Sequence, residues 1–301
     1  MEQFFQQLTN GLAVGSIYAL IALGYTMVYG VLKLINFAHG DLFTIGAYLG
    51  LTLLTSLALM GHLGPFLGVS ALALMVMGLV ALVGALLDRL AYRPLRESPR
   101  LSAVVSALGA SIFLQNGVML IYGARFQVYP QDILPKMAIN LFSLYVPLIR
   151  ILVLAVSVLM MVALYLFIQK TRIGTAIRAA AIDQGAARLM GIDVNRVILL
   201  VFMLGPALGG AAGLMVGLYY GQINFTMGWM YGLKAFTAAI LGGIGNVPGA
   251  MVGGILLGVI EAMGAAYISI AWKDAIAFLV LILILILRPT GLLGERVAEK
   301  V

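Results

Sequence analysis

The chain contains no cysteine, which excludes disulfides, thiolate metal sites and a cysteine nucleophile. Its two histidines, His39 and His62, stand far apart, so a structural zinc site lacks a ligand set. Charged residues are scarce at 10%, against 63% apolar residues and a mean hydropathy of +1.10 over 301 residues. A soluble globule of that composition would expose large apolar areas, so the sequence predicts an integral membrane protein. The opening residues MEQFFQQLTN contain neither Lys nor Arg. They lack the positive region of a cleavable signal peptide, and the first apolar run is expected to remain as a span. No G-x-x-x-x-G-K-[ST] loop is present, and Gly243-Ile-Gly245-Asn246-Val-Pro-Gly249 lacks both the lysine and the strand context that phosphate binding requires. Paired acids, metal ligands and nucleophile–base spacings are missing too, so no catalytic residue, metal or cofactor is expected. Polar stretches fall far short of the roughly 50 residues of an independent soluble domain. Residues 1–301 are therefore expected to form a single transmembrane domain.

The charge that is present clusters. Residues 88–100 carry Arg89, Arg93, Arg96 and Arg100; residues 169–196 carry Lys170, Arg172, Arg178, Arg188 and Arg196; the tail from 288 carries Arg288, Arg296 and Lys300. These are twelve of the eighteen basic residues, in a chain of net charge +7 and pI near 9.7. Loops rich in Lys and Arg beside apolar spans stay on the cytoplasmic side, so all three stretches, the carboxyl terminus among them, are expected to face the cytoplasm. That topology explains the charge without a polyanion, which argues against nucleic acid as a partner and leaves the lipid bilayer.

Windows long enough to cross a hydrocarbon core, about 20 residues each, lie near 10–30, 36–60, 64–87, 101–123, 145–168, 197–220, 226–245, 248–268 and 270–288. The expected fold is all-α, a polytopic membrane helix bundle of about eight to nine transmembrane helices, some broken or re-entrant. Two windows separate the first basic stretch from the second and four separate the second from the tail. Both counts are even, as a shared side demands, and the amino terminus would then lie opposite. Re-entry of 36–59 or 225–245 would change that count.

Gly205, Gly209, Gly213, Gly217 and Gly221 repeat every four residues, and Gly245, Gly249 and Gly253 do so again. Small residues at that spacing let a second helix approach closely, either within the chain or at a subunit interface or translocation path. Pro206 and Pro248 in the same region predict kinked or broken helices. Glu261 is an isolated carboxylate in an apolar window, placed near the outer end beside Lys273 or on a solute path. Lys33, His39 and Asp41 cluster between two apolar runs, as a surface turn or as a helix break lining a cavity.

The loop 169–196 reads QKTRIGTAIRAAAIDQGAARLMGIDVNR. Its middle, 174–190, is rich in Ala and free of Pro, so one short helix is expected. Ile173, Ile177, Leu189 and Met190 give that helix apolar surface, while Arg178, Asp183 and Arg188 keep it out of lipid. Such an element suits docking into a shallow groove on another protein.

Within this loop, Gly185-Ala186-Ala187-Arg-Leu-Met-Gly191 resembles the E-A-A-x-x-x-G pattern of the coupling helix in ABC-importer permeases, with Gly185 where the glutamate stands. Three further stretches are Ile35-Asn-Phe-Ala-His-Gly-Asp-Leu42 with Ile45-Gly-Ala-Tyr48, Leu241-Gly-Gly-Ile-Gly-Asn-Val-Pro-Gly-Ala250, and Arg288-Pro-Thr-Gly-Leu-Leu-Gly294. Together they resemble the permease subunits of Liv-type importers, the ABC transporters of branched-chain (hydrophobic) amino acids, over about residues 10–294. Asp41 stands where many members have Glu. The resemblance implies a multi-pass protein of the bacterial plasma (inner) membrane, paired with a second homologous permease. It further implies two cytoplasmic ABC ATPase subunits that hydrolyse ATP, and an extracytoplasmic solute-binding protein that delivers leucine, isoleucine or valine. The chain itself would be a transport subunit, not an enzyme. Thr171, Arg172, Gly174, Arg178, Asp183, Ala186, Ala187, Arg188 and Gly191 would form the ATPase coupling loop, and Asn36, His39, Asp41, Gly243, Gly245, Asn246 and Glu261 would line the path. Relatives in the same class carry urea, short amides or other amino acids, which stay open as cargo. An ion-gradient-driven secondary transporter is the reading from another class, and it commonly uses paired intramembrane carboxylates or histidine chains.

Overall fold

A computed structural model describes residues 2–57, 64–96, 98–130, 138–141 and 144–294. His62, Arg296 and Lys300 lie outside the described residues. Among the described residues eleven α-helices follow one another: α1 (Glu2–Leu32), α2 (His39–Leu57), α3 (Pro65–Leu87), α4 (Arg100–Tyr122), α5 (Leu148–Lys170), α6 (Arg172–Ile182), α7 (Gln184–Leu189), α8 (Val194–Tyr220), α9 (Met227–Gly242), α10 (Val247–Tyr267) and α11 (Lys273–Leu287). A π-helical turn (Asp88–Tyr92) and a 3-10 turn (Arg93–Leu95) prolong α3. Two short antiparallel ribbons complete the described fold: β1 (Gln127–Val128) pairs with β4 (Gln222–Ile223), and β2 (Ala138–Leu141) with β3 (Leu144–Pro147). The chain is an all-α polytopic membrane bundle.

Local chemistry sets the helix ends. Prolines stand at the first turn of α3 and immediately before α4 and α5, where a fixed φ favours entry and no amide bond is lost. Asp193 caps α8 by accepting from the Arg196 amide at 3.2 Å, and Asn246 caps α10 by accepting from the Gly249 amide at 3.0 Å. Pro248 sits in the first turn of α10, consistent with the expected break, whereas α8 runs unbroken through Pro206.

Among the described residues, eight segments are long and apolar enough to cross a membrane. The window expected at 226–245 is the exception: it folds as the 16-residue α9. At 1.5 Å per residue that helix is about 24 Å long, short of a hydrocarbon core of about 30 Å. Its end is set by Gly243, whose φ of 107° leaves the helical region.

Helix α1 is the centre of the bundle, with 94% of its apolar window buried, against 6% for the span ending in α11. It runs antiparallel to α10, because Gly11 lies on Val259 and Gly30 on Gly245. Helices α2 and α8 run alongside each other in the same direction, Gly46 on Gly210 and Gly50 on Leu214, while α3 returns the other way with Gly84 on Phe202 and Pro206. The glycine repeat in α8 serves this packing: Gly205 faces Gly24, Gly209 faces His39, Gly213 faces the Phe43 carbonyl and Gly217 faces Tyr129. A Cβ on Gly213 would stand 2.0 Å from that carbonyl oxygen, so no other residue fits without moving α2.

The three basic stretches share one face. Arg96 donates to Asn195 at 2.6 Å, joining the first to the second. Gln184 donates to the carbonyl of Val31, at the end of α1, at 2.7 Å. Gly30 lies near Gly245, and Gly243 packs on Gly294 of the tail. The chain therefore returns to this face through residues 221–242 although α9 alone is short, and Glu2 lies on the opposite face.

Candidate functional site

The segment between α1 and α2 turns inward. Lys33 is exposed with a φ of 54°, but Asn36, His39 and Asp41 are buried. His39 opens α2 and donates from Nε2 to the carbonyl of Ile21 at 3.2 Å. Ile21 lies eleven residues before Leu32, about 16 Å along α1. A surface turn is excluded; this is a helix break inside the bundle. Asn36 accepts from the Ala38 amide at 3.1 Å and from the Tyr92 hydroxyl at 2.8 Å, which ties the break to the π-helical turn. Asp41 accepts from Ser111 of α4 at 2.5 Å and stands in the first turn of α2, where the helix dipole favours an anion. A Cβ on Gly40 would stand 2.2 Å from the Gly228 carbonyl oxygen, so α2 and the short α9 begin against each other.

Toward the face opposite the basic stretches lies a buried charge cluster. Lys234 of α9 meets Glu261 of α10 at 2.8 Å and Asp274 of α11 at 2.7 Å. Glu261 also meets Lys273 at 3.5 Å and accepts from the Tyr18 hydroxyl of α1 at 2.7 Å. The expected Lys273 contact exists, yet the closer and more buried partner is Lys234. Two cations and two carboxylates balance, which is what lets them stand in an apolar bundle. A cavity of about 230 Å³ opens beside them, lined also by Tyr220, Met230 and Tyr231. Lys234, Asp274 and Tyr18 were not among the expected site residues. Lys234 is the one charge in its apolar window, the same signal that picked out Glu261.

Gly243, Gly245 and Asn246 join neither group. They form the turn between α9 and α10 on the basic face, where the Arg288–Gly294 motif closes over them. The Leu292 and Leu293 amides donate to the carbonyls of Leu241 and Gly242, both at 2.9 Å, and Asn246 donates to the Leu293 carbonyl at 2.8 Å. Two motifs about forty residues apart are thus one structural unit.

The loop 169–196 is not one helix but two. Thr171 caps α6 by accepting from the Gly174 amide at 3.0 Å. Asp183 then ends α6 and caps α7, accepting from the Gly185 and Ala186 amides at 2.8 and 3.0 Å. An N-cap aspartate takes extended backbone geometry, which is why the Ala-rich run breaks there. Gly174 is buried on the Ile168 carbonyl, and Ile177 and Ala187 turn inward. Arg172, Arg178, Ala186, Arg188 and Gly191 are exposed, as are Ile182, Leu189 and Met190, the last three more than 80%. Exposed apolar side chains framed by arginines make a surface suited to protein contact.

Residues 7–285 match the family described as branched-chain amino acid transport system / permease component. The chain is 45% identical over 301 residues to the high-affinity branched-chain amino acid transport system permease protein LivH of Salmonella typhimurium, covering 99% of this chain and 98% of that one. It is 46% identical over 303 residues to the permease protein BraD of the corresponding Pseudomonas aeruginosa system, with the same coverage. A probable branched-chain amino acid transport permease of Methanocaldococcus jannaschii is 28% identical over 300 residues. The matched region runs from α1 into α11 and takes in the inward helix break, the charge cluster and the paired helices α6 and α7, so the chain belongs to the family of branched-chain amino acid transport permease components.

Proposed function

We propose that this chain is the permease subunit of an ATP-driven (ABC) importer that moves leucine, isoleucine and valine across the plasma membrane by alternating access. The observation that carries this reading is the full-length likeness to permeases named for high-affinity branched-chain amino acid transport. A second, homologous permease completes the path, an extracytoplasmic binding protein delivers the solute, and two cytoplasmic ATPase subunits supply the energy. The face bearing the three basic stretches is cytoplasmic by the positive-inside rule, with the carboxyl terminus on it.

Helices α6 and α7 dock on an ATPase through Ile182, Leu189 and Met190, with Arg172, Arg178 and Arg188 around them. The Gln184 bond to Val31 supports a mechanical link, because α1 ends there and the chain goes straight on into the break at Asn36, His39 and Asp41. Movement of the docking helices is carried to that break, which separates inward- from outward-facing states. On this reading the solute passes the break inside the bundle and then Glu261 with Lys234 toward the outside, while Gly243, Gly245 and Asn246, closed over by the Arg288–Gly294 motif, stand at the cytoplasmic end of that route.

Radiolabelled leucine uptake in cells with and without this gene tests the reading, with isoleucine, valine and urea as competitors. Loss of uptake on deletion, with competition by isoleucine and valine but not urea, is expected. Competition by urea moves the cargo to an amide. In the same assay Arg178→Glu with Arg188→Glu should abolish uptake and uncouple ATP hydrolysis while the protein still reaches the membrane; normal coupling would remove the docking role of α6 and α7.

A further inference from the structure

A cleft on the basic face lies between the end of α3 and the start of α8, and nothing in the transport reading uses it. It measures about 640 Å³, with Leu82, Ala85, Leu86 and Leu199 on its apolar side and Arg89, Arg93 and Arg196 at its basic end. Leu82 and Leu86 are more than half exposed on a helix that spans the membrane. In the π-helical and 3-10 turns that prolong α3 the side chains become Arg89 and Arg93, both exposed, so the surface beside the cleft passes from apolar to cationic. Arg196 adds a third guanidinium from α8, across the cleft.

The carboxylates there do not cancel this charge. Asp88 is held by Arg96 at 2.5 Å, and Asp193 by Arg196 at 3.0 Å. Neither Arg89 nor Arg93 forms an ion pair with a described residue. A pair of free guanidiniums above an apolar floor, at the level where a membrane span meets water, matches a phosphate-bearing headgroup above its acyl chain. A soluble anion would leave the leucine floor bare, and an apolar helix would leave the arginines unpaired. We propose that this cleft is a binding site for one anionic phospholipid, its phosphate held by Arg89, Arg93 and Arg196 and the head of an acyl chain laid along Leu82 and Leu86.

The test is native mass spectrometry of the full chain, delipidated in mild detergent and titrated with phosphatidylglycerol or with phosphatidylcholine of the same acyl chains. Wild type should hold phosphatidylglycerol about tenfold or more tightly over phosphatidylcholine. Arg89→Gln with Arg93→Gln and Arg196→Gln should erase that preference, and the corresponding three lysine substitutions should keep most of it, which separates lost charge from lost fold. Leu86→Trp fills the apolar floor and leaves every charge in place; it should weaken both lipids. Equal affinity for the two lipids in wild type, an unchanged preference in the glutamine variant, or full displacement by inorganic phosphate would each overturn the proposal. So would loss of ATPase co-purification from the glutamine variant with its lipid preference intact, since the cleft would then be a protein contact.

Discussion

Replacing Lys234 with methionine keeps much of its length but leaves Glu261 with the Tyr18 hydroxyl and the more distant Lys273 as its one cation, and takes Lys234 away from Asp274. Breaking a buried ion pair by removing one partner costs roughly 3–5 kcal/mol. The Lys234→Met variant should therefore melt well below wild type in detergent, and Lys234→Met with Glu261→Met should recover part of the loss. A double variant as unstable as the two single losses added together would rule out coupling between the two side chains. At this scale the sequence was partly legible. Glu261, His39 and Asp41 stood out because charge inside an apolar window is rare. Their partners did not: the Tyr18 hydroxyl that meets Glu261 is 243 residues away, and Ser111 reaches Asp41 from another helix.

Among the elements, the glycine repeat of α8 is a packing device rather than an open groove, since its members face Gly24, His39, Phe43 and Tyr129 of the same chain. Gly213→Leu should thus force α2 and α8 apart and cut the yield of monodisperse protein in size-exclusion chromatography several-fold, by a cost of at least ~1–3 kcal/mol. Gly117→Leu is the matched control: outside its own helical turn a Cβ there meets no described atom within 4 Å, and the yield should not change. Equal behaviour of the two variants would contradict the packing role. Helix windows were readable from hydropathy because a span needs its full length of apolar residues. The shortness of α9 was not, since its apolar window continues beyond the point where Gly243 turns the backbone. Likewise the Ala-rich run in the docking loop hid the break at Asp183, whose capping bonds outweigh the helix preference of its neighbours.

For the whole molecule, the absence of cysteine makes topology directly measurable. Single-cysteine variants at Ile182 and Phe4, both exposed, lie on opposite faces. A membrane-impermeant maleimide applied to intact cells should label Phe4→Cys and not Ile182→Cys, and inverted vesicles should reverse the pattern. Labelling of both from one side would contradict the shared basic face. The parity of the windows anticipated that face, and contacts joining Arg96 to Asn195 and Gly243 to Gly294 place the stretches together.

By itself the sequence determined the membrane class, eight of the nine expected spans, the side-sharing of the basic stretches and the resemblance carried by four motifs, because each is written in composition or in spacing along the chain. Tertiary structure alone decided which lone charges meet, how deep the break at His39 lies, that the Arg288–Gly294 motif closes the turn at Gly243, and that Arg89, Arg93 and Arg196 crown one cleft. Those are outcomes of packing between distant helices, and a buried charge takes whichever partner the packing brings within reach.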